Sequence, residues 1–164
     1  MRSLNPVMNI YDQIKESYHD KKNINLKKEI IKNLKSVGIN DAERVVKLYP
    51  HQLSGGMKQR VMIAMAIACK PKLLIADEPT TSLDVTIQKQ VLDLLSKLRK
   101  ELNMAILFIT HDLAVASQIS DKIIVMKDGK ILENSGTKDF FNKPKNNYSR
   151  SLLNSSRYIK KKNT

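Results

Sequence analysis

The sequence contains few cysteines, which could form disulfides, and few glycines, which could form tight turns. Its 164 residues include one cysteine, no tryptophan and five glycines. The single cysteine excludes a disulfide framework and is typical of a reducing, cytosolic compartment. Because Cys69 lies in an apolar helical stretch, we expect a small buried side chain there rather than a reactive thiol.

Long hydrophobic runs are also missing. The longest unbroken apolar run is Val61–Cys69, well short of the roughly 18–20 residues that a membrane-spanning helix needs. No basic segment followed by an apolar one opens the chain, as it would in a secretory signal peptide. We therefore expect a soluble, cytoplasmic chain with at most a peripheral role at a membrane.

Positive charge is in large excess, with 29 Lys and Arg against 16 Asp and Glu and a net charge of +13. Such an excess can indicate a nucleic-acid or anionic membrane partner. The lysines are scattered, however, and accompany abundant Asn and Ile, which is typical of a general compositional bias. We expect no nucleic-acid partner, and we interpret Lys160–Lys162 as a solvated tail.

The first fifty residues show helical periodicity. Apolar residues recur at helical spacing in two sets: Ile10, Ile14 and Tyr18, and Leu26, Ile30, Leu34 and Val37. Gly38 is a good C-terminal stop for the second helix. Asp41 is a candidate cap for a third, short helix, which ends before Tyr49-Pro50 because the residue before proline avoids helical geometry.

The middle of the chain predicts alternating strands and helices, an α/β arrangement. Apolar runs predict buried parallel strands over Leu73–Ala76 and Met104–Ile109. Helices are expected over Met57–Cys69, from an Asp84 cap to Glu101, and over Leu113–Ile119. Asp128-Gly129 is a strong hairpin signal between the strands Ile123–Met126 and Lys130–Leu132.

Two finer expectations concern side chains. On the helix after Met57, we expect one inward face made of Val61, Met62, Met65 and Ala66, with the methionines filling the core. In the tail, Thr137 is a candidate cap of a helical turn that carries Phe140 and Phe141.

Ser54-Gly55-Gly56 forms a small-residue turn at the start of the first of these central helices. Small residues let backbone N–H groups approach a phosphate closely, and the helix dipole favours an anion there. The alternative is a plain helix N-cap, and the two interpretations are compatible.

Two carboxylates, Asp77 and Glu78, follow the apolar run that begins at Leu73. α/β proteins use such a strand end to hold a metal ion and to polarise water beside a phosphate. The alternative is an N-capping acidic pair in a strand-to-helix turn.

Four segments in order resemble the motifs of ATP-binding-cassette (ABC) ATPases. LSGGMKQR at Leu53–Arg60 resembles their signature motif, and LLIADEP at Leu73–Pro79 resembles their Walker B strand. SLD at Ser82–Asp84 resembles their D-loop, and Thr110–Asp112 stands where their switch histidine belongs. Each motif alone is weak, but the four together are highly specific.

The resemblance implies a role for each motif. Asp77 would hold Mg²⁺ through a water, Glu78 would orient the attacking water as general base, and His111 would reach the γ-phosphate. A lone histidine at a strand end is otherwise usually structural. The implied cofactors are ATP and Mg²⁺.

The resemblance also implies a head-to-tail dimer of two cassettes with ATP between them. The residues that would face the nucleotide held by the second cassette are Ser54, Gly55, Gly56 and Asp84.

Other segments narrow the resemblance to the ATPase subunits of oligopeptide and dipeptide importers: Ser3–Met8, Tyr49–Leu53 and Thr81–Gln88, with Met57 in the signature. Pro144–Leu153 is similar to the C-terminal extension of that subgroup, although Asn146–Ser149 departs from its usual pattern. This tail has no cysteine, so no iron–sulfur cluster is expected. Transmembrane permease subunits are the implied partners, on the inner face of the cell membrane.

A phosphate-binding loop is absent, because no G-x-x-x-x-G-K-[ST] sequence occurs. In the family, that loop and the Q-loop lie upstream of the segment matched by Ser3–Met8. We therefore interpret the chain as the C-terminal part of a cassette, an α/β, partial P-loop NTPase fold. It would comprise a helical signature subdomain (1–57), the C-terminal half of the RecA-like core (58–135) and a peptide-importer-type extension (136–164).

This interpretation leaves three functions open. The first is an ATP-hydrolysing importer subunit that is active only with an N-terminal part, which would be a further, separately encoded partner. The second is an inactive remnant or docking module. The third is a basic nucleic-acid-binding protein. The DNA-repair ATPases that share these motifs surround them with coiled-coil arms, and no such heptads occur here. Without neighbouring strands, we expect exposed apolar strand edges and a marginally stable or aggregation-prone chain.

Overall fold

The computed structural model describes residues 4–18, 25–81 and 83–156. The chain divides into two compact units, residues 1–107 and 108–164. Ser82 and the Lys160–Lys162 run lie outside the described residues. The elements in chain order are α1 Ile10–Glu16, α2 Leu26–Ser36, α3 Ala42–Val45, α4 Gly55–Ile67, β1 Leu73–Asp77, α5 Val85–Glu101, β2 Ala105–Ile109, α6 Leu113–Ile119, β3 Lys122–Lys127, β4 Lys130–Gly136, α7 Thr137–Asn142 and α8 Asn147–Ser155.

The first unit is built around a cluster of helices. Helices α1, α2 and α4 pack against one another, α3 packs on α2, and α5 packs on α4. Their shared core is aliphatic, and its fully buried side chains include Ile10, Ile14, Ile30, Leu34, Val61 and Val91. As predicted, Gly38 follows α2 with a left-handed backbone (φ 81°), which glycine adopts without a steric penalty.

Helix α4 differs from its prediction in its bounds and its buried face. It begins at Gly55 rather than Met57 and ends at Ile67, and its buried residues are Gln59, Val61, Ile63, Ala64 and Ile67. Met62 and Met65 are only half-buried and Ala66 is exposed, so the expected face was wrong except at Val61. The run is apolar on every side, so its sequence pattern does not define which side turns inward.

Cys69 is exposed, which contradicts the expectation of a buried side chain. It lies past the last residue of α4, in a turn completed by Lys70 at φ 52°. Leaving the helix there takes the side chain out of the packed face.

Strands β1 and β2 are neighbours in a two-stranded sheet. The N–H of Ala105 donates to the carbonyl of Lys72 (2.9 Å), so the beginnings of both strands lie side by side, as in parallel pairs. The expectation of full burial was wrong for one face. Leu74 is 8% exposed, but its neighbour Ile75 is 61% exposed.

The sequence predicted exposed apolar strand edges, but the exposed apolar side chains cover one face of this sheet. Leu73 and Leu107 are also largely exposed. A strand becomes buried on both faces only when other layers cover both, which a two-stranded sheet does not achieve by itself.

The predicted helix caps are confirmed at some positions and wrong at others. The side chain of Asp84 accepts from the N–H of Ile87 (2.9 Å) and caps α5, which ends at Glu101 as expected. Asp41 makes no capping bond to α3 and instead pairs with Arg44. Thr137 is the first residue of α7, and its hydroxyl donates to the carbonyl of Ser120 (2.7 Å).

The second unit is a β-hairpin covered by helices. Strands β3 and β4 pair antiparallel, with a register shift at Val125/Met126. The turn residues Asp128 and Gly129 have φ 49° and 73°, the left-handed pair that a two-residue hairpin turn requires, as predicted. Ile123 and Val125 of β3 form a small core with Phe140 of α7 and Leu153 of α8.

The C-terminal segment is attached to the hairpin by a buried carboxylate, Glu133 on β4. Its two oxygens accept from the backbone N–H groups of Lys145 and Asn146 (both 3.0 Å). Burial raises the pKa of Glu133, but the nearby Ser149 hydroxyl, the two backbone bonds and the Ser135 hydroxyl (3.4 Å) outweigh it and hold the pKa below its usual range.

Candidate functional site

The start of α4 carries the first group of candidate residues. Ser54 has an extended backbone (ψ 163°), and its hydroxyl accepts from the N–H of Met57 (3.3 Å). Ser54 and Gly55 are exposed, and a β-carbon on Gly55 would meet nothing within 4 Å. The first turn contains no acidic residue. The helix dipole and the first-turn N–H groups, which have no partner within the helix, therefore favour an anion at this helix start.

Gly56 connects this helix start to α5. A β-carbon on Gly56 would lie 3.3 Å from Cγ2 of Ile87, in the first turn of α5. Asp84, the cap of α5, is exposed. The packing of Gly56 on Ile87 therefore brings two predicted elements together, the Ser54–Gly56 turn and the start of the helix that Asp84 caps.

Asp77 and Glu78 lie at the end of β1, and both are exposed. The backbone of Glu78 is left-handed, with φ 43°, a conformation that costs a bulky residue on the order of 1–3 kcal/mol. Thr81 supports it twice: its N–H donates to the Glu78 carbonyl and its hydroxyl to the Glu78 carboxylate, both at 3.2 Å. The sequence did not predict this backbone conformation.

The donor chemistry at this strand end suits a phosphate-bound cation. Among the described residues, no group of three or more His, Cys, Asp or Glu side chains could hold a metal ion by itself. Mg²⁺ at nucleotide sites uses one or two carboxylates, waters and the substrate phosphates. The Asp77–Glu78 pair fits that arrangement and does not fit an all-protein metal cage.

His111 belongs to the second unit, two residues beyond the end of β2. Its side chain is exposed. The following residue, Asp112, caps α6 by accepting from the N–H groups of Ala114 and Val115. His111 therefore lies in the turn between the end of β2 and the Asp112 cap of α6.

Two polar side chains with long-range contacts were not identified from the sequence. Arg60 donates to the carbonyl of Val37 (2.6 Å) and to the side chain of Gln90 (3.2 Å). Glu133 holds the segment that begins α8. Arg60 is part of the quoted signature, but its partners lie 23 and 30 positions away, and no local pattern indicates them.

None of the described helices is both long and apolar enough to cross a membrane.

Comparison with known proteins finds a matching family model and several similar proteins. The family model described as ABC transporter matches residues 2–81. The chain is 51% identical to the oligopeptide transport ATP-binding protein AppD of Bacillus subtilis and 52% identical to the dipeptide transport ATP-binding protein DppD of Haemophilus influenzae. Each match covers 94% of this chain and 48% of the relative.

Two further proteins agree with this assignment. The glutathione import ATP-binding protein GsiA of Escherichia coli K12 is 47% identical over 93% of this chain and 25% of its own length. The solved structure of cbiO1 from Clostridium perfringens, described as part of the ABC transporter complex cbiONQ, superposes with a TM-score of 0.74 at 31% identity. It covers 86% of this chain and 55% of the solved one.

The predicted resemblance and α/β cassette fold are thus confirmed, while the chain spans about half or less of the length of these relatives. The chain is thus similar to ABC transporter ATP-binding proteins over most of its own length, and the ABC transporter family model matches its residues 2–81.

Proposed function

We propose that this chain is part of the ATP-hydrolysing subunit of an ABC importer for peptides or similar solutes. The names of its relatives support this, because AppD, DppD and GsiA are oligopeptide, dipeptide and glutathione transport ATP-binding proteins. In this proposal the chain lies at the inner face of the membrane, bound to transmembrane permease subunits.

The observation that carries the proposal is the strained backbone of Glu78 beside Asp77. Left-handed residues also occur in ordinary turns of this chain, as at Lys70 and Asp128. At Glu78 the conformation stands next to a second carboxylate at a strand end, where strained residues are typical of functional sites. Asp77 would hold Mg²⁺ and Glu78 would accept a proton from the attacking water. The bound Mg²⁺ and ATP would supply the charge neutralisation and the phosphoryl group.

The other candidate residues would complete the site. His111 would donate to and orient the γ-phosphate. Ser54, Gly55, Gly56 and Asp84 would face the ATP of a second cassette in a head-to-tail dimer. The exposed helix start with no acidic first-turn residue supports this assignment.

A second candidate function is kept beside the first. The 164 residues contain no G-x-x-x-x-G-K-[ST] loop, so hydrolysis by this chain would need that loop from another segment or chain, whereas binding to a partner would not. The alternative is an inactive docking module that binds a full cassette or its permeases. We retain the subdomain bounds 1–57, 58–135 and 136–164 as part of the main proposal.

A chimera would test the proposal directly. The half of B. subtilis AppD that this chain does not match would be joined to it, and ATP binding and turnover would be measured. We expect Glu78→Gln to abolish turnover and retain ATP binding, while the matched control Glu43→Gln, an exposed side chain paired with Lys35, leaves both unchanged.

Turnover that survives Glu78→Gln would show that the general-base assignment is wrong. A folded chimera that binds ATP but hydrolyses none, even with Glu78 intact, would favour the docking module.

A further inference from the structure

Arg60 joins three helices of the first unit. It lies on α4, and one guanidinium nitrogen donates to the carbonyl of Val37 at 2.6 Å. Val37 is the C-cap of α2, where carbonyls lack helical partners and the dipole is negative. A second nitrogen donates to Oε1 of Gln90 on α5 at 3.2 Å.

The guanidinium of Arg60 packs closely against the backbone of Gly38, just after α2. A β-carbon on Gly38 would lie 2.5 Å from Nη1 of Arg60, closer than any real contact allows. Gly38 therefore serves two purposes, the left-handed turn after α2 and the space for Arg60. The position of the guanidinium is defined by backbone on one side and by α5 on the other.

A second contact joins the same pair of helices one turn nearer their starts. Gly56 of α4 lies against Ile87 of α5. Residues 56 and 60 are four apart on α4 and residues 87 and 90 are three apart on α5, so each pair shares one helix face. Two contacts along one seam fix the relative direction of α4 and α5, which a single contact would not do.

We propose that Arg60 is a positioning residue that sets the direction of the Gly55 and Gly56 amides relative to Asp84. It acts through the carbonyl of Val37 and through Gln90, and it does not touch the ligand. This inference rests on the proposed function, in which those amides meet a phosphate group.

Arginine is required at this position because two acceptors must be reached at once. Its planar guanidinium presents several N–H donors in a fixed fork, whereas a lysine ammonium offers one flexible donor group. Lysine therefore retains the charge and loses the simultaneous contact to α2 and α5.

The five glycines of the chain provide a direct readout. Selective ¹⁵N-glycine labelling of the full chain gives one amide signal for each: Gly38, Gly55, Gly56, Gly129 and Gly136. We expect Arg60→Lys and Gln90→Ala each to shift the signals of Gly55 and Gly56. The signals of Gly129 and Gly136, in the second unit, should stay in place.

Arg44→Lys is the matched control, because Arg44 is an exposed arginine of the same unit that pairs with Asp41. It should leave Gly55 and Gly56 unshifted. If Arg60→Lys displaces all five signals, that variant has lost its fold. The test then depends on whether Gln90→Ala shifts the signals of Gly55 and Gly56. Unshifted Gly55 and Gly56 signals in the folded variants would overturn the inference.

A titration with sodium tripolyphosphate separates this inference from the proposed function. We expect saturable shifts of Gly55 and Gly56 in the unchanged chain and several-fold weaker binding in Arg60→Lys. If tripolyphosphate shifts neither signal in the unchanged chain, the proposal that Gly55 and Gly56 bind an anion is wrong. The spectra recorded without anion still test whether Arg60 positions these two glycines. Equal binding by both chains would contradict a positioning role.

Discussion

Gly56 packs so closely on Ile87 that a β-carbon on Gly56 would stand 3.3 Å from Cγ2 of that side chain. The start of α4 thus lies directly against the first turn of α5, the helix that Asp84 caps. The stability of this seam, and of the caps on both sides of it, can be tested by substitution.

A larger residue at Gly56 should separate α4 from α5. We expect Gly56→Leu to lower the free energy of unfolding by about 1–3 kcal/mol, because an overpacked contact forces neighbouring side chains and backbone to shift. Urea denaturation measures the change. Gly55→Ala is the matched control and should be neutral or slightly stabilising, since that position faces open space. Equal losses at both positions would contradict the close packing.

Removing the helix caps should cost stability only where the capping bond exists. Ser54→Ala and Asp84→Ala should each lower the free energy of unfolding by about 1 kcal/mol, because each leaves a first-turn N–H unsatisfied. Asp41→Ala should cost less, since Asp41 makes no capping bond and its ion pair with Arg44 is exposed. A loss at Asp41 as large as at Asp84 would argue against this distinction.

The stability of the second unit should fall in acid through Glu133. Its folded-state pKa lies below its usual range, so its contribution is complete above the unfolded pKa and is lost as pH falls through the folded pKa. Thermal unfolding measured from neutral to acidic pH should therefore show a steeper acid loss in the unchanged chain than in Glu133→Gln.

At neutral pH, Glu133→Gln should already be less stable than the unchanged chain. The two carboxylate oxygens of Glu133 accept from the N–H groups of Lys145 and Asn146, whereas the glutamine amide has only one acceptor oxygen. Glu16→Gln, at an exposed position, is the control. Parallel pH curves for Glu133→Gln and the unchanged chain would show that the carboxylate does not hold the C-terminal segment.

The exposed face of β1 should promote self-association. We expect Ile75→Thr to reduce concentration-dependent light scattering and dye binding, with a change in unfolding free energy within about 0.5 kcal/mol. Leu74→Thr, one residue earlier and buried, should cost about 2 kcal/mol or more through the cavity and the buried hydroxyl. A comparable loss at Ile75 would indicate that this face is covered in solution.

Much of the local structure could be predicted from local signals. The helix expected from an Asp84 cap to Glu101 agrees with α5 to its last residue, because helix-capping and helix-forming signals act within one or two turns. Helix α6 begins and ends where the sequence indicated. The Asp128-Gly129 pair predicted the hairpin because only a few residue types adopt two successive left-handed conformations.

Other features depended on contacts between distant residues. The buried face of α4 could not be read from a run that is apolar on all sides. The strand at β1 was expected to be buried on both faces because apolar runs usually are, but burial depends on which layers are present. The exposure of Cys69 followed from where the helix ended.

The sequence by itself determined the resemblance to ABC transporter ATP-binding proteins, the order of helices and strands, and the residues to which the chemistry is assigned, because these depend on motif identity and short-range patterns. Only the tertiary structure decided which of these residues are brought together and how they are held. It showed Gly56 against Ile87, Arg60 between α2 and α5, and Glu78 in a strained conformation held by Thr81. Packing and hydrogen bonds between residues far apart in the chain select those arrangements, and no short stretch of sequence encodes them.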